Sequence, residues 1–260
     1  MIRFSSLGSG STGNATLVEA SGGITTTRVL IDCGFSLREL EARLAQRGLA
    51  PADVDALFVT HEHGDHVGCA LTLARRHGVA LWTSRGTWQA IADDEPPPPR
   101  LHFARDGEAI AVGDLELQPY TVPHDAREPL QLVCGDGAAR LGVLTDAGSI
   151  TQHMRSALAG CAALLIECNH DMALLAASSY PASLKARIAG PRGHLANETA
   201  ALLLTACAHG ALRHVVAAHL SERNNRPDLA CAALAAAVGG AAGDFIVADP
   251  LRGFGWLSLA

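Results

Sequence analysis

The chain has 260 residues, 48% of them apolar and only 4% aromatic, and a net charge of −6. That is enough apolar mass for a substantial core of aliphatic side chains and alanine, while the acidic balance argues against a protein that coats nucleic acid through general basic charge. Seven scattered cysteines without C-x-x-C spacing exclude a disulfide framework or a zinc ribbon and fit a reducing cytoplasm, the expected location.

Met1 to Phe4 runs directly into an apparent strand at 2–7, so no signal peptide is expected. A polar glycine loop at 8–14 leads to a strand pair, 15–19 and 28–31, joined near Gly22 and Gly23. Ser36 is placed to cap a helix to about Gln46, stopped by Gly48 and Pro51. A strand at 57–60 follows, then a histidine-rich loop and one helix ending near His77 and Gly78, then a strand at 79–83. An acidic, proline-rich connector (93–99) precedes strands at 108–112, 115–122, 130–134 and 139–145. The second half alternates helices (150–158, 183–189, 197–208, 227–238) with strands (163–167, 214–218, near 245–247 and 255–258). The alanine-rich run 229–238 is too short to span a bilayer, and no membrane association is expected. Strands with helices between them in both halves predict two packed sheets covered by helices.

The sharpest signal is His61-Glu62-His63-Gly64-Asp65-His66, read as H-x-H-x-D-H directly after the apolar run Ala56 to Val59. Three imidazoles and a carboxylate in six residues are a metal-ligand set, and N and O donors suit Zn²⁺, Mn²⁺ or Fe²⁺. Asp65 and His66 are expected to open a helix, whose N-terminus favours a carboxylate. The metalloprotease pattern H-E-x-x-H is not met, because its last histidine would fall on Asp65. Three more ligand types stand at the ends of apolar runs: His124 after 115–122, Asp146 after 141–145, and His219 after 215–218. Charge is uneven as well. Residues 181–226 hold six basic and two acidic residues, +4 against −10 for the remainder, as a phosphate-binding rim would require.

Together with Asp32 at the end of Val29-Leu30-Ile31-Asp32, these residues resemble the metallo-β-lactamase fold over essentially the whole chain. The resemblance implies an α/β (α+β) fold, an αββα sandwich of two mixed β-sheets flanked by helices, in one domain over 1–260. It implies two divalent metal ions, Zn²⁺ first with Mn²⁺ or Fe²⁺ as alternatives. His61, His63 and His124 would hold one, Asp65, His66 and His219 the other, and Asp146 would bridge them, with Asp32 orienting the histidine loop. The stretches 7–14, 166–171, 193–198 and 219–225 narrow the resemblance to the YycJ (WalJ-like) group of metal-dependent phosphodiesterases, for which exonuclease action on DNA is described. The order Glu167, His194, His219 is also similar to RNase Z and the β-CASP nucleases, where a carboxylate orients a histidine that assists the phosphodiester reaction. Only 26 residues separate Glu167 from His194, too few for a β-CASP insertion. Ala196 stands where the group's motif suggests serine.

The expected function is a two-metal phosphodiesterase or exonuclease acting on nucleic acid, DNA before RNA, through a hydroxide bridging the metals. In that reading Asp65 orients the nucleophile, and His194, held by Glu167, donates to the leaving oxygen. Ser11, Asn14, Arg192, Ser221, Arg223, Asn224 and Asn225 are candidate substrate contacts. A hydrolase of small thioesters, lactones or cyclic nucleotides on the same fold is the alternative, and a non-catalytic metal-binding regulator the third reading. Oligomeric state is not encoded in any feature of the chain.

Overall fold

The computed structural model describes residues 1–259. The strands are β1 (Ile2–Gly8), β2 (Ala15–Ser21), β3 (Thr26–Ile31), β4 (Ala56–Val59), β5 (Ala80–Thr83), β6 (Leu101–Phe103), β7 (Ile110–Val112), β8 (Leu115–Thr121), β9 (Leu130–Gly135), β10 (Arg140–Leu144), β11 (Ala163–Glu167), β12 (His214–Ala218), β13 (Ile246–Val247) and β14 (Phe254–Ser258). The helices are α1 (Leu37–Ala45), α2 (Gly64–Val67), α3 (Ala70–His77), α4 (Arg85–Ile91), α5 (Gln152–Leu158), α6 (Met172–Ala177), α7 (Ala182–Ile188), α8 (Asn197–Cys207) and α9 (Pro227–Val238).

The strands form two seven-stranded sheets, ordered β14-β1-β2-β3-β4-β5-β6 and β13-β12-β11-β10-β9-β8-β7. Each sheet joins an antiparallel half to a parallel half. β1, β2, β3 and β14 pair antiparallel while β3 to β6 pair parallel. β7 to β10 pair antiparallel while β10 to β13 pair parallel. The central strands are buried on both faces, which is why they read as unbroken apolar runs. β4 shows the division: Ala56 and Phe58 enter the core between the sheets, while Leu57 and Val59 face the layer under α1 and α3. Leu164 and Ile166 of β11 likewise pack beneath α5, α8 and α9. The predicted sandwich of two sheets within helices is the observed fold.

The main departures are local. The helix expected after the histidine loop is two helices, α2 and α3, parted at Gly68. Gly68 sits at φ +36, and a Cβ there would fall 2.3 Å from the Cys33 carbonyl oxygen, so the chain leaving β3 crosses too close for a continuous helix. α4, capped by Ser84, and α6, capped by Asp171, were absent from the sequence reading, as was the three-residue β6. Each is short, and short elements leave little periodicity to detect. Among the described residues no helix is long and apolar enough to cross a membrane. All seven cysteines are buried and unpaired.

Candidate metal centre

The site lies where strands from both sheets end. β4 stops at Val59, and Thr60 and His61 follow at once. His63 is the N-cap of α2, so Asp65 and His66 occupy its first turn, as expected. Asp32, just past β3, anchors this loop from the neighbouring strand. Its Oδ1 accepts from the Thr60 backbone N–H at 2.8 Å, and its Oδ2 from His66 Nδ1 at 2.7 Å. Thr60 Oγ1 lies 3.0 Å from both Asp32 oxygens and 2.9 Å from His61 Nδ1. The Nδ1 atoms of His61 and His66 are thus engaged by Thr60 and Asp32, which leaves Nε2 of each ring to the site. Asp32 adopts φ +62, a left-handed conformation that costs a non-glycine residue on the order of 1–3 kcal/mol and is held here by its buried hydrogen bonds.

The other sheet supplies one group per strand end. β8, β10 and β12 run in the same direction, so His124, Asp146 and His219 emerge along one edge. His124 Nδ1 donates to the Gly193 carbonyl at 2.9 Å and His219 Nδ1 to the Thr145 carbonyl at 2.7 Å. Both rings therefore direct Nε2 inward. His219 also adopts positive φ, +52, and its backbone N–H donates to Ser9 Oγ at 2.9 Å, tying the 8–14 loop of the first sheet to the second.

These donors converge. The ligand atoms of His61, His63 and His124 lie within 4.8 Å of one another, as do those of Asp65, His66 and His219, and those of His61, His66 and Asp146. His61 Nε2 and both Asp146 oxygens are buried without an aligned hydrogen bond. The Asp146 oxygens approach His66 Nε2 and His219 Nδ1 to 3.0 Å. Leaving such atoms without partners in a protein interior costs roughly 2–7 kcal/mol for a neutral group and more for a charge. A bound cation would satisfy these atoms, and a set of imidazole and carboxylate donors without thiolate fits a divalent ion. Burial, reinforced by the facing His66, holds His61 well below the ordinary histidine range. Burial alone would raise Asp146, but His219 and His66 outweigh it and keep the carboxylate charged. Asp65 and His63 are the partly exposed members, with 23% and 28% of their side chains accessible, and mark the open side.

A second pair adjoins this cluster. Glu167, at the end of β11, is fully buried and accepts from His194 Nδ1 at 2.7 Å through Oε1. Its Oε2 accepts from the Ala147 and Leu195 backbones at 2.9 and 3.1 Å. Burial alone would lower His194, but the Glu167 and Asp146 carboxylates prevail and push it up to about 9. His194 Nδ1 lies 3.3 Å from Asp146 Oδ1, and its Nε2 makes no hydrogen bond among the described residues.

The family described as the β-lactamase superfamily domain matches residues 27–220, which include every residue of this cluster. The chain belongs to the metallo-β-lactamase superfamily. Within it, the chain is 34% identical over 232 residues to the exodeoxyribonuclease YycJ of Bacillus anthracis, covering 88% of this chain and 86% of the relative. It is 32% identical to the exodeoxyribonuclease WalJ of Streptococcus pneumoniae serotype 2, covering 88% and 85%. The metallo-β-lactamase fold protein YhfI of Bacillus subtilis superposes with a TM-score of 0.72 at 15% identity, covering 98% of both chains, a likeness of fold. This member of the superfamily is a metal-dependent hydrolase similar to YycJ and WalJ, and its His and Asp cluster has the donors to hold a divalent ion.

The tentative substrate contacts divide by burial. Ser11, Arg192 and Arg223 are exposed and Ser221 is partly so. Asn14, Asn224 and Asn225 are buried and hydrogen-bonded within the chain. Asn14 Nδ2 lies 3.1 Å from the Gly10 carbonyl, 3.3 Å from Asp65 Oδ2 and 3.2 Å from His66 Nε2, closing the 8–14 loop on the ligands. Asn225 Nδ2 donates to the Cys168 carbonyl at 2.6 Å, and its side chain pairs with Asn197. Asn224 is held by Ser221, whose Oγ accepts from its backbone N–H at 3.2 Å. Thr60 and Asn169 were missed. Asn169 Nδ2 donates to the His219 carbonyl at 3.1 Å, steadying a ligand in a strained conformation. A threonine between a buried strand and a ligand histidine was the available signal for Thr60. Asn169 had none, because its partner is 50 residues away.

Proposed function

We propose that the chain is a two-metal exodeoxyribonuclease, one domain whose ligands are His61, His63 and His124 for one ion, Asp65, His66 and His219 for the other, and Asp146 between them. The observation that carries the reading is the His194–Glu167 pair beside the ligand cluster, 2.7 Å apart and 3.3 Å from Asp146, which in this reading supplies the proton to the leaving oxygen. The YycJ and WalJ relatives, named as exodeoxyribonucleases, support DNA as the substrate. Zn²⁺ is the first choice for the ions, with Mn²⁺ or Fe²⁺ compatible with the same donors.

When bound, the divalent ions supply Lewis acidity, polarising a phosphoryl oxygen and making a water acidic near neutral pH. The chain does the rest. Asp65 stays a carboxylate, since hydrogen bonds and charge from His219 and His66 override its burial. Its Oδ2 faces His66 and His219, which leaves Oδ1 to take a hydrogen bond from the attacking water. His194 holds its proton at neutral pH, with Nδ1 committed to Glu167 and Nε2 turned to donate to the leaving oxygen. Arg192 and Arg223 stand exposed to meet flanking phosphates.

The test is degradation of duplex DNA labelled at the 5′ or the 3′ end, with Mn²⁺ or Zn²⁺ added, beside His66→Ala. Progressive shortening by the wild type alone is expected, and the label lost first gives the direction. Turnover of a small thioester or lactone with intact DNA would instead assign the site to a small-molecule hydrolase.

A further inference from the structure

A cavity of about 610 Å³ opens beside His194, bounded by α6, α7 and the start of α8. His194, 3.3 Å from Asp146 beside the ligand cluster, also lines this cavity, so a ligand there would sit next to the proposed reacting region. The other walls are mostly apolar. Met172 and Leu175 come from α6, Ala186 from α7, and Ala196 adds a methyl group where a serine would add a hydroxyl. Met172 is 61% exposed, one of few large apolar side chains left in water. A methionine thioether makes favourable contacts with aromatic rings.

Besides His194, the polar residues of the lining are His170, Lys185 and Thr199. His170 is 2% exposed, yet neither ring nitrogen has a hydrogen-bond partner among the described residues, and Nδ1 is fully buried. Its backbone is fixed, with the carbonyl accepting from the Asn197 N–H at 2.9 Å; Nδ1 is closed off, so Nε2 is the ring nitrogen left for a partner in the cavity. Burial lowers its pKa, which keeps the ring neutral with one donor and one acceptor. Lys185 lines the same cavity with its Nζ tied to the Ala176 carbonyl, 2.5 Å away, leaving its alkyl stem to the wall.

A mostly apolar cleft of this size with one or two placed polar groups is the usual form of a small-ligand site. A nucleobase matches it, with an apolar face and an edge of donors and acceptors. We propose that the cavity receives the terminal nucleobase of the DNA strand, its face against Met172 and Leu175 and its edge on His170, so that the adjoining phosphodiester lies at His194. The proposal rests on the exonuclease reading. A base at a strand end has only one stacked neighbour and is the least costly to extract.

The test compares duplexes whose terminal nucleotide carries a base with duplexes whose terminal nucleotide is an abasic tetrahydrofuran, in the wild type and in Ala186→Trp. Ala186 is exposed on α7, so the indole fills the cavity from its rim. The wild type should remove the base-bearing nucleotide with a kcat/KM about tenfold above the abasic one, the order expected from burying an apolar face and making one hydrogen bond. In Ala186→Trp that ratio should fall towards one. The ratio is internal to each protein, so partial misfolding slows both reactions and leaves it readable. Equal rates on the two ends in the wild type, or an undiminished ratio in the variant, would overturn the cavity's role while leaving the nuclease reading intact. A wild type that hydrolyses bis(p-nitrophenyl) phosphate but shortens neither duplex removes both.

Discussion

The two halves of the centre are built in opposite ways. The first sheet brings four proposed ligands, three histidines and an aspartate, from the six residues His61 to His66, steadied by the side chains of Asp32 and Thr60. The second delivers His124, Asp146 and His219 singly from three strand ends, with the histidines steadied by the backbone carbonyls of Gly193 and Thr145. A dense local motif depends on a few side chains and is sensitive to their replacement. A dispersed set depends on the packing of a whole sheet edge.

The largest effect should come from the group that both halves face. Asp146→Ala removes the carboxylate within 3.0 Å of His66 from one half and His219 from the other. Loss of several kcal/mol of metal-assisted stabilisation corresponds to about ten-thousand-fold or more in kcat/KM, read by end-labelled DNA or a chromogenic diester. A loss below tenfold would mean that Asp146 does not join the two halves.

His194→Ala should lower kcat by about a hundred- to ten-thousand-fold while the bound metal content stays unchanged. A matching fall in metal content would place His194 among the ligands instead. Glu167→Gln sharpens the point: it leaves His194 present but weakens the charge that holds its proton, and kcat should fall while KM is little altered.

Asp32→Asn tests the side-chain support of the first half. Metal affinity should weaken by about 10- to 100-fold, and excess metal should restore activity. Loss that excess metal cannot restore would show that Asp32 does more than orient His66. The smallest effects belong to the rim. Arg192→Ala and Arg223→Ala should each weaken DNA binding a few-fold and reduce the salt dependence of log K by about one, whatever the base sequence.

The same contrast governs how much could be read from the chain alone. Periodicity and capping located nearly all the long elements, with Ser36 capping α1 through a full capping box as expected. The proposed ligands of the first half stand out because they are neighbours in sequence. The second half was legible only as strand-end residues, and assigning them to one site needed the resemblance to a family, because the register that aligns β8, β10 and β12 is set by long-range pairing. Burial was the hidden variable. Asn14 and Asn225 sit in polar, turn-like sequence, but folding closes both into hydrogen-bonded loops. Gly68 parted a helix for a reason 35 residues away, at the Cys33 carbonyl.

The most direct test of a shared centre is metal stoichiometry by inductively coupled plasma mass spectrometry. It would be measured on the wild type, on His61→Ala/His63→Ala from the first half and on His219→Ala from the second, with circular dichroism confirming each fold. The account predicts two divalent ions per wild-type chain, fewer in both variants, and loss of DNA shortening in both. Full metal content and full activity in folded His219→Ala would contradict it, confining the centre to the first half.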